Sequence, residues 1–367
     1  MVIFVSFISL VCCVTSLFRR HPSDTMSRSN QASGNQWLNP SLDDVSQKDA
    51  ELPTSLQHAI KDVDVSNHGQ PNRAQQGADS AVFACNSNAS ELTVGMLPPS
   101  IVEIGIRTLG SLNSLTDLLR DAAPPVFVNV GGTPLCIFSG RSDDSIARLK
   151  AEFPDDSNVY GAKQLIKGSM GTVVDIGANL GAFTIYTALL HPQMQILSFE
   201  PTPPTFFFFI CNLFLNKVEL LSSSFPRSAG VLPLQGAVGA TAGTVDISWD
   251  PSKTQNAAAG TDEPSVLAQG WQKTTVTRYP IIRFLERSQV VRILKIDCEG
   301  CEFSVIPGLA EMLSNRTKIE KLVGEYHLSL LNRKEETFAR KPSRLSAERT
   351  LKILLDRGCR QVWQINC

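Results

Sequence analysis

The sequence predicts an α/β fold whose C-terminal half is a doubly wound, mostly parallel sheet. From Gly168 onward, apolar runs of strand length alternate with segments of helical spacing, and turn residues separate them. Acidic residues stand at the ends of several runs, where ligands bind in such sheets. Strands are predicted at 172–176, 195–199, 232–238, 244–248, 290–296 and 321–326. The alternation indicates a Rossmann-like domain over residues 166–367.

A small extension and a polar stem precede this domain. Residues 96–165 form the extension, because 101–119 has helical spacing and two apolar runs flank the Gly-Gly turn at 131–132 as a hairpin. Between residues 19 and 80, only eight of 62 residues are Leu, Ile, Val or Phe. That apolar content is too low to offset the entropy cost of ordering the chain. We therefore expect residues 19–95 to be a disordered stem.

The first 18 residues have the character of a signal sequence or a membrane anchor. Residues 2–18 are uncharged and mostly apolar, and Arg19 and Arg20 follow them. Two acceptor sequons, at Asn88 and Asn315, favour the lumen of the ER or Golgi. Positive charge after the run, with none before it, favours a cytosolic domain instead. We expect membrane attachment through this run, with the lumenal orientation preferred.

Composition narrows the classes of partner. The 367 residues carry 34 Lys and Arg against 35 Asp and Glu, for a net charge of −1, and 43% of them are hydrophobic. A nucleic-acid-binding surface needs clustered positive charge, which this chain lacks. A polytopic membrane protein needs several long apolar runs, and the sequence has one. We therefore expect no nucleic-acid partner and a single membrane-attached segment.

A tight glycine turn ends the first predicted strand of the sheet. The strand carries Asp175 and runs into Gly177, Asn179 and Gly181 before a helix begins. Glycine permits the turn and allows a ligand to approach the backbone closely. Asn179 and Ala182 replace two glycines of the dinucleotide fingerprint, so a nicotinamide cofactor is disfavoured. The alternative interpretation is a tight strand-to-helix connection with no ligand.

The second strand ends in Glu200, 23 residues after Gly177. An acidic group at the end of the second strand can accept hydrogen bonds from both hydroxyls of a ribose. Together with the glycine turn, it indicates a ligand that contains adenosine and no pyrophosphate. The alternative interpretation of Glu200 is a solvated charge at a strand end.

A third acidic strand end completes an ordered set of motifs. Asp297, Glu299 and Glu302 follow an apolar strand within six residues. The set resembles the FkbM-type family of S-adenosylmethionine-dependent methyltransferases, and the resemblance spans roughly residues 126–327. It is carried by D-I-G-A-N-L-G at 175–181, F-E-P at 199–201, Asn212 and Asn216, and K-I-D-C-E-G-C-E at 295–302.

The resemblance implies a class I methyltransferase fold with S-adenosylmethionine as cofactor. It implies that the methionine part of the cofactor lies over the turn at 177–181, and that Glu200 binds the ribose. Asp175 and Asp297 would lie near the amino end of the cofactor and the acceptor pocket. We therefore predict Asp175, Gly177, Asn179, Gly181, Glu200 and Asp297 as cofactor-binding residues.

Two features depart from the family pattern. Cys298 and Cys301 stand where a small aliphatic residue and alanine are more usual, and 206–209 is a run of four phenylalanines. A redox or metal-binding C-x-x-C is one interpretation of the cysteines; we favour a packed pair of small residues. We expect the phenylalanines in the core. The nine cysteines are too sparse for a disulfide scaffold, and an odd number leaves at least one free thiol.

The acceptor side is assigned to the last predicted strand. Alternation places Glu325 and His327 on one face, where they could orient and deprotonate a hydroxyl group. A hydrogen-bonded structural histidine is the alternative, and the E-x-H pattern of the family favours a functional one. We predict His327, Glu325 and Asp297 as catalytic residues. We predict no metal, because a strand-to-helix turn spreads the carboxylates of 297–302 apart.

Two functions compete at this stage. The first is an O-methyltransferase that acts on a hydroxyl group of a glycan, a glycolipid or another small molecule. The second is a membrane-tethered binding or scaffold module that keeps the fold without catalysis. Asp175, Glu200 and Asp297 favour the enzyme, because a scaffold has no need of them.

Overall fold

In the computed structural model, the residues described below all lie within Thr54–Cys367. The described residues are 85, 91–141, 144–154, 159–165, 170–221, 229–250, 257–259, 270–288, 290–302, 304–306, 309, 318–325 and 361–362. The predicted apolar segment, nearly all of the stem, both sequons and His327 lie outside them. Among the described residues, no helix combines the length and the apolar character needed to span a membrane.

Helices and strands are numbered in chain order over these described residues. The α-helices are α1 (Pro99–Leu109), α2 (Leu112–Arg120), α3 (Ser145–Glu152), α4 (Ala182–Leu190), α5 (Pro203–Leu215) and α6 (Ile281–Leu285). Short 3-10 helices span Val94–Met96 and Val159–Gln164. The strands are β1 (Val126–Val130), β2 (Thr133–Ile137), β3 (Thr172–Ile176), β4 (Gln195–Glu200), β5 (Gly230–Gln235), β6 (Ala237–Gly239), β7 (Gly243–Trp249), β8 (Ala257–Ala259), β9 (Gln272–Pro280), β10 (Val290–Ile296), β11 (Lys318–Ile319), β12 (Lys321–Gly324) and β13 (Gln361–Val362).

The main sheet has the strand order β13-β12-β10-β3-β4-β5, with β11 paired beside β10, and every one of these pairings is parallel. β3 lies in the middle, and the chain proceeds outward from it in both directions. Its residues are buried along their whole length, as expected for a strand covered on both faces. The predicted mixed α/β architecture with a parallel, Rossmann-like sheet is confirmed.

A second sheet, with the order β6-β9-β7-β8, corrects two strand predictions. The predicted strand 232–238 is divided between β5 and β6, and 244–248 becomes β7, which is antiparallel to β8 and β9. The division falls at Gly236, whose φ of 157° few other residues adopt. A short apolar run specifies a strand without specifying its sheet, so the sequence could not separate the two.

The described part of the extension contains three α-helices and a hairpin and packs on helices α4 and α5. The predicted helical stretch 101–119 is interrupted at Gly110, which caps α1 with a φ of 84°. Ser111 then caps α2 by accepting a hydrogen bond from the Ser114 amide. The hairpin of β1 and β2 forms around residues 131–132 as predicted. A disulfide joins Cys85 to Cys136 of β2.

Helix α5 connects the extension to the sheet. Its four phenylalanines, 206–209, are buried, which confirms their predicted place in the core. The Asn212 side chain accepts a hydrogen bond from the Phe138 amide at 2.7 Å and donates to the carbonyls of Phe138 and Leu180. Asn216 likewise accepts from the Cys136 amide and donates to its carbonyl. Both asparagines therefore hold the backbone of β2 and its end.

Candidate active site

The candidate active site is the edge of the main sheet where the parallel strands end. In register, Ile176 of β3 pairs with Phe199 of β4 and with Ile296 of β10, and Ile296 pairs with Gly324 of β12. The residues that follow these strands therefore meet at one edge. Because β4 and β10 flank β3 and the chain leaves it in opposite directions, this edge is the topological switch point where such sheets bind ligands.

The glycine turn after β3 is fixed by its neighbours. Gly177 has a φ of 80°, and a Cβ there would overlap the backbone carbonyl oxygen of Asp297. Gly181 has a φ of 85°, and a Cβ there would overlap the ring of Phe209. The amides of Gly177 and Ala178 both donate to the Phe199 carbonyl, at 3.0 and 2.9 Å. Only glycine fits at these two positions, so the turn is held at one distance from β10 and α5.

Asn179 lies at the tip of this turn in the left-handed region, with a φ of 51°. Its backbone amide donates to Oε2 of Glu200 at 2.9 Å. Its side-chain oxygen Oδ1 is buried and has no hydrogen-bond partner among the residues that the structure describes. Buried polar atoms are nearly always satisfied, so this oxygen marks a place for a donor from a ligand or water.

Glu200 is 5% exposed and is held by backbone amides. Oε1 accepts from the Thr202 amide and Oε2 from the Asn179 amide, each at 2.9 Å. Burial raises the pKa of Glu200 to about 7, although these amides and Lys295 act to lower it. A carboxylate has about four acceptor positions, so two amides leave room for further donors. The carboxylate is thereby oriented before any ligand arrives.

Asp175 is fully buried and lies beneath the glycine turn. Its carboxylate accepts from the Thr184 hydroxyl at 2.6 Å and from Nζ of Lys295 at 3.0 Å. Lys295 also donates to the Gly177 carbonyl at 2.9 Å. Burial lowers the pKa of Lys295, but the carboxylates of Asp175 and Asp297 outweigh it and raise the value. Asp175 thus supports the turn through Lys295, and its place near the cofactor stays a prediction.

Asp297, half-buried, stands directly after β10. Its Oδ2 lies 3.9 Å from Nζ of Lys295 and 3.4 Å from the hydroxyl of Tyr160. The Tyr160 hydroxyl donates to Oε1 of Glu152 at 2.7 Å, and Nζ of Lys295 lies 5.5 Å from the centre of its ring. The structure therefore places Asp297 in a network of side chains that come from both the sheet and the extension.

Sequence reasoning missed Tyr160, Glu152 and the role of Lys295. Tyr160 has a φ of 44°, and its ring contacts Phe153 and Phe183 edge-on. Left-handed backbone in a bulky residue is uncommon and is found where surrounding packing imposes it. No local motif marks Tyr160, because only the packing of the extension brings it to the sheet edge.

Glu325 follows β12 at the same edge, and its amide donates to the Ile296 carbonyl at 3.0 Å. It is half-buried and close enough to Glu152 and Tyr160 to raise the pKa of both groups, although burial raises them more. Glu325 and Asp297 therefore follow two paired strands at the same edge of the sheet. Its predicted partner His327 lies outside the described residues.

The turn after Asp297 corrects the prediction for the cysteines. Cys298 and Cys301 form a disulfide rather than a packed pair of thiols, with their Cα atoms 5.5 Å apart. The side chain of Glu302 is fully buried and accepts from the Gly300 amide. Within the described part of the chain, these three side chains are the one group with metal-ligand spacing. The disulfide occupies both sulfurs, whereas Cys211 is a buried free thiol.

Comparisons with known proteins agree with this geometry. Residues 175–354 match the family model described as the methyltransferase FkbM domain. "Methyltransferase 1" of Beauveria bassiana (strain ARSEF 2860) is 26% identical over 179 residues, which cover 43% of this chain and 61% of the relative. "Methyltransferase sdnD" of Sordaria araneosa is 28% identical over 165 residues, which cover 38% and 60%. The chain thus spans about three fifths of the length of these relatives. No solved structure was found to match the chain.

Proposed function

From the premise that residues 175–354 are a methyltransferase domain of the FkbM family, we propose that the protein transfers the methyl group of S-adenosylmethionine to a hydroxyl group. The proposed acceptor is a glycan, a glycolipid or another small molecule. The fold supports this proposal, because a parallel sheet with its switch point at β3 is the arrangement expected of a class I methyltransferase.

One observation carries the proposal. At the switch point, backbone amides hold both oxygens of Glu200, and the buried Oδ1 of Asn179 lacks a donor among the described residues. The hydroxyls of a ribose are two adjacent donors, which suit a carboxylate with acceptor positions to spare. The donor set of adenosine and the acceptor set of this turn therefore fit each other.

Other residues of the chain take supporting roles in this proposal. The turn at 177–181 gives the methionine part of the cofactor a surface without side chains at Gly177 and Gly181. Lys295 holds that turn through the Gly177 carbonyl, and Asp297 would bind the amino end of the cofactor. When bound, S-adenosylmethionine supplies an activated methyl group, and the protein positions the two reactants.

Proton removal from the acceptor is proposed to need no metal ion. Hydroxyl groups of sugars are very weak acids, so a base must take the proton as the methyl group is transferred. His327 is the proposed base, and Glu325 orients it or binds the acceptor. Asp297, which shares the edge with Glu325, completes the catalytic set that we propose.

Cofactor titration of the full-length protein tests this function. We expect S-adenosylmethionine to bind, and Glu200→Gln to weaken binding about 10- to 150-fold, the loss of 1.5–3 kcal/mol expected for hydrogen bonds to a charged group. Glu286→Gln is the matched control, because Glu286 is exposed at the end of α6. Unchanged affinity in Glu200→Gln would remove this residue from the site. A wild-type protein that binds without transferring methyl groups to any of a panel of glycosides would favour the scaffold.

Attachment to an early secretory membrane is the second part of the proposal. Residues 2–18 would anchor the chain, with 19–95 as a tether and the domain in the lumen. The disulfides Cys85–Cys136 and Cys298–Cys301 support it, because disulfides persist in oxidising compartments. Glycosidase treatment tests the orientation: a mobility shift that disappears when Asn88 and Asn315 are replaced supports the lumen, and no shift supports the cytosolic side.

A further inference from the structure

We propose that the cysteine pair Cys298–Cys301 is a reversible dithiol–disulfide site that controls the affinity of the adjacent glycine turn for its ligand. The pair sits immediately after Asp297, at the carboxyl end of β10. The identity of the ligand rests on the proposed function, whereas the redox reaction of the two cysteines is independent of it. The accessibility of the pair, its contact with Glu302 and its contact with the glycine turn carry the inference.

The first argument is the contrast with the other described disulfide. Cys298 and Cys301 are both partly exposed, whereas in the Cys85–Cys136 disulfide only Cys85 is partly exposed and Cys136 is 3% exposed. Cys85–Cys136 closes a separation of 51 residues, and Cys298–Cys301 closes a separation of three. A crosslink stabilises a fold more when the loop that it closes is longer. The accessible pair can therefore open with a smaller cost to the fold.

The second argument is the group that receives the reduced cysteine. Oε2 of the buried Glu302 lies 3.2 Å from Sγ of Cys298. A disulfide sulfur has no hydrogen to donate, so this contact adds no hydrogen bond to the oxidised form. A thiol does donate, and Cys298 in its reduced form would be a donor to Glu302 without any movement of the chain. The carboxylate thus stabilises the reduced pair in the position that the disulfide occupies.

The third argument is contact with the ligand turn. The Cα of Cys298 lies 3.2 Å from the position that a Cβ would occupy on Gly177, and the Asp297 carbonyl oxygen lies closer still. Glu299, between the two cysteines, has a φ of 52°. A non-glycine residue in this region carries about 1 kcal/mol of strain or more. When the crosslink opens, Glu299 can relax, and the backbone at 297–298 moves against the turn that holds the ligand.

The chemistry is a thiol–disulfide exchange with a dithiol as reductant. One thiolate of the dithiol attacks a cysteine sulfur, which breaks the Cys298–Cys301 bond and forms a mixed disulfide. The second thiolate of the dithiol then attacks the mixed disulfide at the dithiol's own sulfur. This step releases the bound cysteine and leaves the dithiol as a cyclic disulfide. Two electrons pass from the dithiol to the protein, and two protons end on the sulfurs of Cys298 and Cys301. An oxidised dithiol reverses the reaction.

The test equilibrates the full-length protein in buffers of reduced and oxidised dithiothreitol. Free thiols are trapped with iodoacetamide and located by mass spectrometry, and the affinity for S-adenosylmethionine is measured in the same buffers. We expect Cys298 and Cys301 to be alkylated at a lower ratio of dithiol than Cys85 and Cys136. We expect reduction to weaken binding by about fivefold or more, the low end of ordinary coupling between sites, and reoxidation to restore it.

Two double variants separate this site from general effects of reduction. Cys298→Ser with Cys301→Ser should bind with the affinity of the reduced wild type and should not respond to dithiothreitol. Cys85→Ser with Cys136→Ser should keep the response, because it retains the accessible pair. Cys298→Ala with Cys301→Ala serves if the serine variant fails to fold.

Three outcomes would overturn the inference. Simultaneous alkylation of all four cysteines, only as the protein unfolds, would make the pair structural. An equal affinity for S-adenosylmethionine in both redox states would show that the cysteine pair does not control binding. Absence of binding in every state would overturn both this control and the proposed function, and the alkylation pattern would still decide whether the pair is reversible.

Discussion

The two halves of the candidate active site are held together by different means. In the half that contains Glu200 and the turn at 177–181, carboxylate oxygens accept from backbone amides of neighbouring strands and turns. In the half that contains Asp297, carboxylates and a hydroxyl contact one another, and the contact of Tyr160 with Asp297 joins segments 137 residues apart. Geometry set by the backbone follows from a short stretch of sequence, whereas geometry set by side chains depends on the packing of the whole unit.

Gly177→Ala is the largest expected break in the half held by the backbone. The new Cβ would overlap the carbonyl oxygen of Asp297, so β3 and β10 would have to separate. We expect a loss of more than about 5 kcal/mol in the free energy of unfolding, enough to prevent folding of an ordinary domain. The measurement is the yield of soluble protein, followed by urea unfolding.

Gly110→Ala controls for backbone conformation alone. Gly110 has a φ of 84°, similar to Gly177, but nothing lies within 4 Å of a Cβ built there. We expect a loss of about 1–2 kcal/mol, from the left-handed backbone only. Equal losses in the two variants would show that contact with Asp297 is unimportant.

Lys295→Met should have the next largest effect on stability. Lys295 contacts both halves, through the Gly177 carbonyl and the Asp297 carboxylate. The substitution would leave the buried carboxylate of Asp175 without its charged partner, which typically costs about 3–5 kcal/mol. Arg107→Met, which breaks an exposed pair with Glu103, should cost less than about 1 kcal/mol. Urea unfolding compares the two, and Asp175→Asn should recover part of the loss in Lys295→Met. A cost no greater than that of Arg107→Met would contradict this assignment.

Glu200 should make the stability of the protein depend on pH. Its pKa rises from the ordinary 4.5 to about 7 on folding, because burial penalises the charged form. Protonation therefore stabilises the folded state below about pH 4.5, and this contribution is lost as pH rises through about 7. Relative to Glu200→Gln, the wild type should lose up to about 3 kcal/mol between these limits. Urea unfolding of both proteins at pH 5 and pH 8 measures the difference.

Ligand affinity should change with pH in the opposite direction. Ionised Glu200 accepts from two hydroxyls, so S-adenosylmethionine should bind more tightly as pH rises through about 7. Glu200→Gln should show a flat profile over the same range. A wild-type profile as flat as that of the variant would indicate that Glu200 is already ionised in the free protein.

Tyr160→Phe is the smallest expected effect, and it tests the half held by side chains. The change keeps the ring contacts and removes the hydrogen bond to Glu152, at a cost of about 1 kcal/mol. Burial raises the pKa of Glu152 and that hydrogen bond lowers it, so the pKa should rise further in the variant. Carbon NMR titration of the Glu152 carboxyl measures this change.

Tyr186→Phe is the matched control, because the Tyr186 hydroxyl lies 3.5 Å from the Gly131 carbonyl, at the limit for a hydrogen bond. It should leave the pKa of Glu152 unchanged. If Tyr160→Phe also leaves it unchanged, the network at Asp297 is a chance proximity.

The sequence predicted the fold best where strands are buried on both faces. The strands at 172–176 and 290–296 occur at their predicted bounds, and a helix begins after Gly181 as predicted, because continuous apolar runs and a glycine turn mark them. β9 was missed, since it alternates exposed Lys and Thr with few buried residues. Its backbone hydrogen bonds are made to β6 on one side and β7 on the other, and both strands are distant in sequence from β9.

For the candidate site, too, the sequence identified residues that a local motif marks and missed residues that only packing places. Gly177 and Glu200 could be found because the chemistry of a tight turn and a strand end is local. Tyr160 could not be found, since its place depends on how the extension packs. The disulfide was missed because a C-x-x-C spacing suits both free and joined cysteines, and the backbone conformation at Glu299 is not visible in the residue types.

The amide contacts of Asn212 and Asn216 join the extension to the domain of the parallel sheet. On the side of β2 away from β1, no strand is paired with the hairpin in the described part of the chain. The side chains of Asn212 and Asn216, from helix α5 and its end, accept from the backbone amides there instead. Removing the hairpin would take away both contacts of Asn212 with Phe138, leave it the Leu180 carbonyl, and uncover Phe208, which packs edge-on against Phe138. A chain that begins at residue 166 should therefore aggregate, whereas one that begins at residue 91 keeps the edge covered.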